Sequence, residues 1–209
     1  MPAARAPACH PSTRSDRPQV IGAVTVFCGS SDRVAAGYFE AARELGEKLA
    51  RRRWRLIYGG GGLGLMGALA RAVLGAGGEV VGVIPRALLD LGVGEDTVTE
   101  LMVTEGLRDR KAIMDTRGDA FVALPGGLGT LEEILEVMAL KQLGYHRKPI
   151  AVLDLDGFYQ PLWSQIQRGI DTGFIKPEYL DLWYPAPDVD ALLRYLEGYA
   201  PHGYGAKWS

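Results

Sequence analysis

The sequence predicts an α/β fold built around one parallel sheet. Three observations carry this expectation. Short β-branched runs alternate with helical patterns from Val20 onward, the connections between them are only a few residues long, and glycine or serine loops follow the first, second and fifth apolar runs. Several of the runs are apolar at nearly every position, as strands covered on both faces are. Right-handed crossovers then give a single Rossmann-like, doubly wound parallel sheet of about seven strands flanked by helices, with its ligand crevice beyond the carboxyl ends of the strands.

Taken in order, strand 20–27 ends at "CGSSD", and an apolar stripe at helical spacing follows over 38–53. The run "RLIY" at 55–58 leads through "GGGGLG" into a helix over 65–76. The valine-rich stretch 79–84 closes on Pro85, and a weaker strand is expected at 97–103. A charged helix over 108–117 precedes "AFVAL", a strand at 120–124 bounded by Gly118-Asp119 and Pro125-Gly126. The remaining expectations are a helix at 130–143, a strand at 150–155, a helix at 158–172, a short seventh strand at 182–184 and a helix at 189–198.

A chain of 209 residues suits one domain, here 19–198, between a disordered tail at 1–18 and a flexible end at 199–209. Charged residues make up 23% and the formal net charge is −2, so neither a nucleic-acid footprint nor a membrane-surface patch is expected. The partners suggested are small molecules or a second copy of the chain. Cys9 and Cys28 have no metal-ligand spacing and make an unpromising disulfide, which fits a cytoplasmic protein. The first residues contain prolines and arginines but no apolar signal core, and no run reaches membrane-span length.

Gly62-Leu63-Gly64-Leu65-Met66-Gly67 matches the dinucleotide fingerprint, yet the acid that should end the following strand is missing: Glu79 stands at the wrong end, and Pro85 and Arg86 occupy the right one. No Gly-Lys-Ser/Thr follows either, which sets aside a Walker cradle. Gly61 in this run and Ser30 in "CGSSD" are candidate ligand contacts. The alternative for each is structural, tight turning for the glycines and a helix cap for the serine.

"PGGLGTLEE" is the sharpest signal. Gly126, Gly127 and Gly129 strip the turn of side chains, and Thr130 stands where the first free amides of a helix point outward, so a phosphate would be seated along Gly127, Leu128, Gly129 and Thr130. Thr130 to Glu133 also spells a capping box, in which Thr130 caps and Glu133 reaches back. A cap alone does not need the glycines before it. If Glu133 is functional, it must face something other than the phosphate, and the sugar of a nucleoside 5′-monophosphate is the natural choice, with the charge stabilising an oxocarbenium-like centre at C1′. Arg108, Arg110 and Lys111 open a helix against its macrodipole, an arrangement that a negative partner would offset. His146, His202, Trp54, Trp163 and Trp183 are read as surface, core or interface residues.

"VFCGSS", "LIYGGGGLGLMG", "GVIP", the "RK" at 110–111, "PGGLGTLEE" and "LDLDGFY" together resemble the LONELY GUY family of cytokinin riboside 5′-monophosphate phosphoribohydrolases, formerly labelled lysine decarboxylase-like. The resemblance implies hydrolysis of the N-glycosidic bond of a nucleoside 5′-monophosphate, without cofactor or metal, by a homodimer with its sites near the interface. It further implies that Arg110 and Glu133 are the catalytic pair, and that Lys111 and the segment 127–132, including Glu132, contact the nucleotide. The chain departs from the plant pattern at Leu107-Arg108, at Ala139, and around Gly92, where a ligand-contacting glutamate is replaced and Glu95 stands nearby. Molybdenum-cofactor carrier proteins, which share the architecture, are the non-catalytic alternative. A decarboxylase using pyridoxal needs a Schiff-base lysine that no residue here declares.

Overall fold

In the computed structural model, which describes residues 19–201, the first strand β1 (Ala23–Phe27) lies at the centre of a seven-stranded sheet. The others are β2 (Arg55–Tyr58), β3 (Val80–Pro85), β4 (Glu100–Thr104), β5 (Ala120–Ala123), β6 (Ile150–Leu153) and β7 (Tyr184–Ala186). Every pair is parallel and the order is β4-β3-β2-β1-β5-β6-β7. The winding reverses between β1 and β5, and the crevice of a doubly wound sheet opens at that reversal.

The strands are apolar throughout because both faces are covered. Ala120 and Val122 of β5 join the core beneath α1 (Ala36–Arg51), α2 (Gly64–Gly75) and α7 (Val189–Gly198). Their neighbours Phe121 and Ala123 point into a second core beneath α4 (Leu107–Arg117), α5 (Leu128–Gln142) and α6 (Gln160–Asp171). The first two helices pack closely: a side chain on Gly46 would lie 2.8 Å from both Ala72 Cβ and Leu69 O.

Several boundaries differ from expectation for local reasons. The seventh strand runs Tyr184–Ala186, because the proline-led 3-10 turn Pro177–Leu182 consumes Leu182 first. The sixth stops at Leu153, where the Asp154 carboxylate turns the chain by accepting from Tyr159 N at 2.7 Å. A short helix α3 (Arg86–Leu89), too brief to show a period, fills what the sequence suggested was loop. Of the expected flanks, 1–18 and 202–209 lie outside the described residues, as do Cys9 and His202, whereas Tyr199 is buried and its carbonyl accepts from Gln19 N. His146 is half-buried: its Nε2 lies 2.9 Å from Val137 O, and burial lowers its pKa to about 4.

Candidate active site

The turn after β5 is stitched at its stem and bare at its tip. Leu124 N donates to Phe27 O at 2.9 Å and Gly29 N donates to Pro125 O at 3.2 Å, which binds the stem to β1 and to the loop that follows it. A Cβ on Gly126 would fall 2.1 Å from Thr130 Oγ1, whereas Gly127 and Gly129 face open space. The first intrahelical bond of α5 runs from Leu131 N to Gly127 O. The amides of Leu128, Gly129 and Thr130 thus have no helical acceptor, and the helix dipole adds positive potential where they point.

The capping box is not formed. Gly127 is the N-cap residue and no side chain caps α5. Because the glycines let the helix start at Leu128, Thr130 falls inside its first turn and is buried, and Glu133 points away from its own helix start.

Glu133 faces Arg110 instead. Its Oε1 lies 3.2 Å from Arg110 Nη1, and the residue is 8% exposed. Arg110 Nε donates to Val83 O at 3.0 Å, while a Cβ on Gly59 would sit 2.0 Å from Nη2, so the guanidinium lies against bare backbone. Burial pushes the Glu133 carboxyl above the usual carboxylate range, with Arg110 pulling the other way and Glu132 adding to the rise. Arg110 and Lys111, two of the three cations that open α4, are thus offset by carboxylates of α5.

These groups line one cleft of about 460 Å³. Gly127, Leu128, Gly129 and Thr130 form its β5 side, and Ser30 and Cys28 continue the wall from β1. On the β2–β3 side the wall is apolar, made by Leu63, Met66, Ile84, Leu88 and Val93. The last two come from α3 and the segment after it, which is pinned to the glycine run by Gly62 N to Val93 O, Glu95 N to Gly60 O and a Gly61–Gly94 bridge. An anion seat, a carboxylate–guanidinium pair and an apolar wall suit a phosphorylated molecule with a flat apolar part.

The dinucleotide fingerprint is spent on packing. Gly64 N donates to Asp32 Oδ1 at 2.9 Å and Leu65 N to Gly29 O at 3.0 Å, so the start of α2 has no amide to spare there. Gly64 holds φ +58°, and a Cβ on Gly67 would lie 2.0 Å from Gly62 O.

Of the residues expected at the site, Arg110, Glu133, Gly127, Leu128, Gly129, Thr130, Gly61 and Ser30 meet in the cleft. Gly126 instead lines an adjoining hollow of about 330 Å³ with Tyr38, Leu65 and Phe158. Lys111 and Glu132 pair with each other outside the lining, and Lys111 Nζ also reaches Glu136 at 2.7 Å. Glu95 is tied to Arg71 at 2.8 Å and to Thr97, and Val93 takes the wall near it. Sequence reasoning missed the apolar wall, whose only signal was the lengthened glycine run opposite it. Among the described residues, no group of acids, histidines and cysteines suits a metal ion.

Comparison with known proteins adds independent findings. A family model described as "Possible lysine decarboxylase" matches residues 66–196. A probable cytokinin riboside 5′-monophosphate phosphoribohydrolase of Oryza sativa subsp. japonica is 48% identical over 178 residues, covering 85% of this chain and 78% of the relative. A cytokinin riboside 5′-monophosphate phosphoribohydrolase of Arabidopsis thaliana is 46% identical over the same shares. Among solved structures, the molybdenum cofactor carrier protein of Chlamydomonas reinhardtii superposes with a TM-score of 0.63 at 26% identity, over 83% of this chain and 94% of its own. A molybdenum cofactor binding protein of Rippkaea orientalis, at 21% identity and TM-score 0.65 over 87% of this chain and 97% of its own, shows the shared fold.

Proposed function

The chain belongs to the family of cytokinin riboside 5′-monophosphate phosphoribohydrolases, whose model carries the lysine decarboxylase description, and from that premise we propose how its cleft works. The protein is an enzyme that hydrolyses the N-glycosidic bond of a cytokinin or purine nucleoside 5′-monophosphate, releasing the free base and ribose 5-phosphate.

In our reading the 5′-phosphate sits on the amides of Gly127, Leu128, Gly129 and Thr130, beside the Thr130 hydroxyl. The base lies against Leu63, Met66, Leu88 and Val93, and C1′ faces Glu133. As the bond to the base lengthens, positive charge grows on the sugar ring and the Glu133 carboxylate stabilises it. The same carboxylate holds the water that adds to C1′, while the base departs with the bonding electrons and takes up a proton. Arg110 keeps Glu133 ionised and aimed, and phosphate affinity is spent on orienting a centre several bonds away. Lys111 supports the site by tethering α4 to α5 through Glu132 and Glu136.

We also propose a cytoplasmic homodimer with its sites near the interface. Helix α5, which carries Glu133, turns Leu128 (86% exposed) and Leu135 outward at helical spacing, an apolar stripe that a second copy would cover. The buried free thiol of Cys28 fits reducing surroundings.

The observation that carries the hydrolase reading is the buried Arg110–Glu133 pair in the same cleft as the bare amides of α5. Glu133→Ala should lower turnover of AMP by about a thousandfold while retaining nucleotide binding, followed by chromatography of released base and by calorimetry. Wild-type turnover in that variant would refute the role. A carrier resembling the molybdenum-cofactor proteins would bind without releasing base from AMP or its prenylated form.

A further inference from the structure

We propose that Tyr159 is a positioning residue that sets the phosphate-seating turn through its hydroxyl; this rests on the reading that the bare amides of α5 hold the substrate's phosphate. Tyr159 is buried, and its hydroxyl donates to Leu124 O at 2.8 Å. Leu124 is the last residue before the turn. Its amide is bonded towards β1, whereas on the β6 side the last paired residues are Ala123 and Val152. The phenol hydroxyl thus holds the Leu124 carbonyl one residue past the paired part of β5, just before the chain enters Pro125 and the glycines.

Both ends of Tyr159 are held. Its amide donates to Asp154 Oδ1 at 2.7 Å, and Asp154 Oδ2 accepts from Gln160 Nε2 and Trp163 Nε1, each at 3.0 Å. The ring packs edge-on against Phe158 and tilted against Trp163. The ring does not line the cleft, so it acts only through the backbone it holds. With Gly29 N on the Pro125 carbonyl, the stem of the turn is gripped from both sides, by the loop after β1 and by the residue before α6, while its tip stays bare. A seat made chiefly of amides depends on such a grip, since backbone amides cannot reach towards the anion as a long side chain would.

The test is titration calorimetry of wild type, Tyr159→Phe and Asp154→Asn with ribose 5-phosphate and, separately, adenine, together with steady-state turnover of AMP. Tyr159→Phe should weaken ribose 5-phosphate about tenfold, as losing one buried hydrogen bond would. Adenine binding should hold within about twofold, and KM for AMP should rise with kcat little changed. Asp154→Asn, which keeps an acceptor for Tyr159 N, should act in the same direction by less, and it decides the matter if Tyr159→Phe does not fold. Equal weakening of adenine and ribose 5-phosphate would mean general loosening and would overturn the proposal, as would unchanged ribose 5-phosphate binding. A wild type that binds inorganic phosphate without cleaving AMP would remove only the hydrolase reading, and the comparison would then be made on inorganic phosphate. A wild type that binds neither phosphate nor ribose 5-phosphate would overturn both.

Discussion

Gly59 has no side chain because Arg110 occupies the space one would need. Gly59→Ala should displace the guanidinium from Val83 O and Glu133 and lower kcat for AMP about a hundredfold in a protein that still folds, checked by kinetics beside circular dichroism. The protonation of Glu133 follows from the same contacts. A carboxyl raised by burial is ionised only above a correspondingly raised pH, so turnover should fail on acidification earlier than an exposed carboxylate would dictate. Carbon NMR of the glutamate carboxyls should place Glu133 high in wild type and higher still in Arg110→Met, where the opposing charge is gone. A midpoint in the ordinary range in both proteins would contradict this account. Among the described residues no lysine lines the cleft, and Lys141, whose pKa burial lowers to about 7, lies outside it.

Helix α5 does two jobs along its length, with Glu133 near its start and Lys141 near its end. Lys141 is buried, donates to Leu182 O at 2.8 Å and sits over the Tyr199 ring, and burial lowers its pKa to about 7. A depressed amine favours the fold in its neutral form. Its contribution is therefore fully present above the unfolded pKa and is lost as pH falls towards 7. Lys141→Met should raise stability by about 1 to 3 kcal/mol at pH 7, with the gain shrinking towards pH 10, as denaturant titrations at both pH values would show. The element scale also shows what was legible in the sequence. Strands covered on both faces wrote themselves as unbroken apolar runs, and the bare turn before α5 was visible because a helix cap alone does not need Gly127 and Gly129 side-chain-free. Helix α3 was illegible, since four residues make barely one turn, and with it went Leu88 and Val93. The partners of Lys111 were hidden for another reason: they are twenty or so residues away, on a helix whose rotation only tertiary packing decides.

At the scale of the whole molecule, the Arg110–Glu133 pair, to which we assign the chemistry, comes from the two sides of the sheet's reversal. Arg110 belongs to the half that ends with α4, and Glu133 to the half that begins with β5. In the dimer we propose, the outward stripe on α5 would meet a second copy. Leu135→Arg should convert the proposed dimer to monomers in sedimentation velocity and lower turnover with it, because the stripe and Glu133 share one helix. Dimers that persist unchanged would move the interface elsewhere. The order of the strands also shapes how the chain is made. β1 is the first strand to leave the ribosome, but its flank at Val24 waits for Ala120, so nearly half the polypeptide must be translated before that edge is covered. Until then an apolar ribbon lies open to wrong neighbours, and a nascent chain stalled short of β5 is the form of this protein most in need of a chaperone.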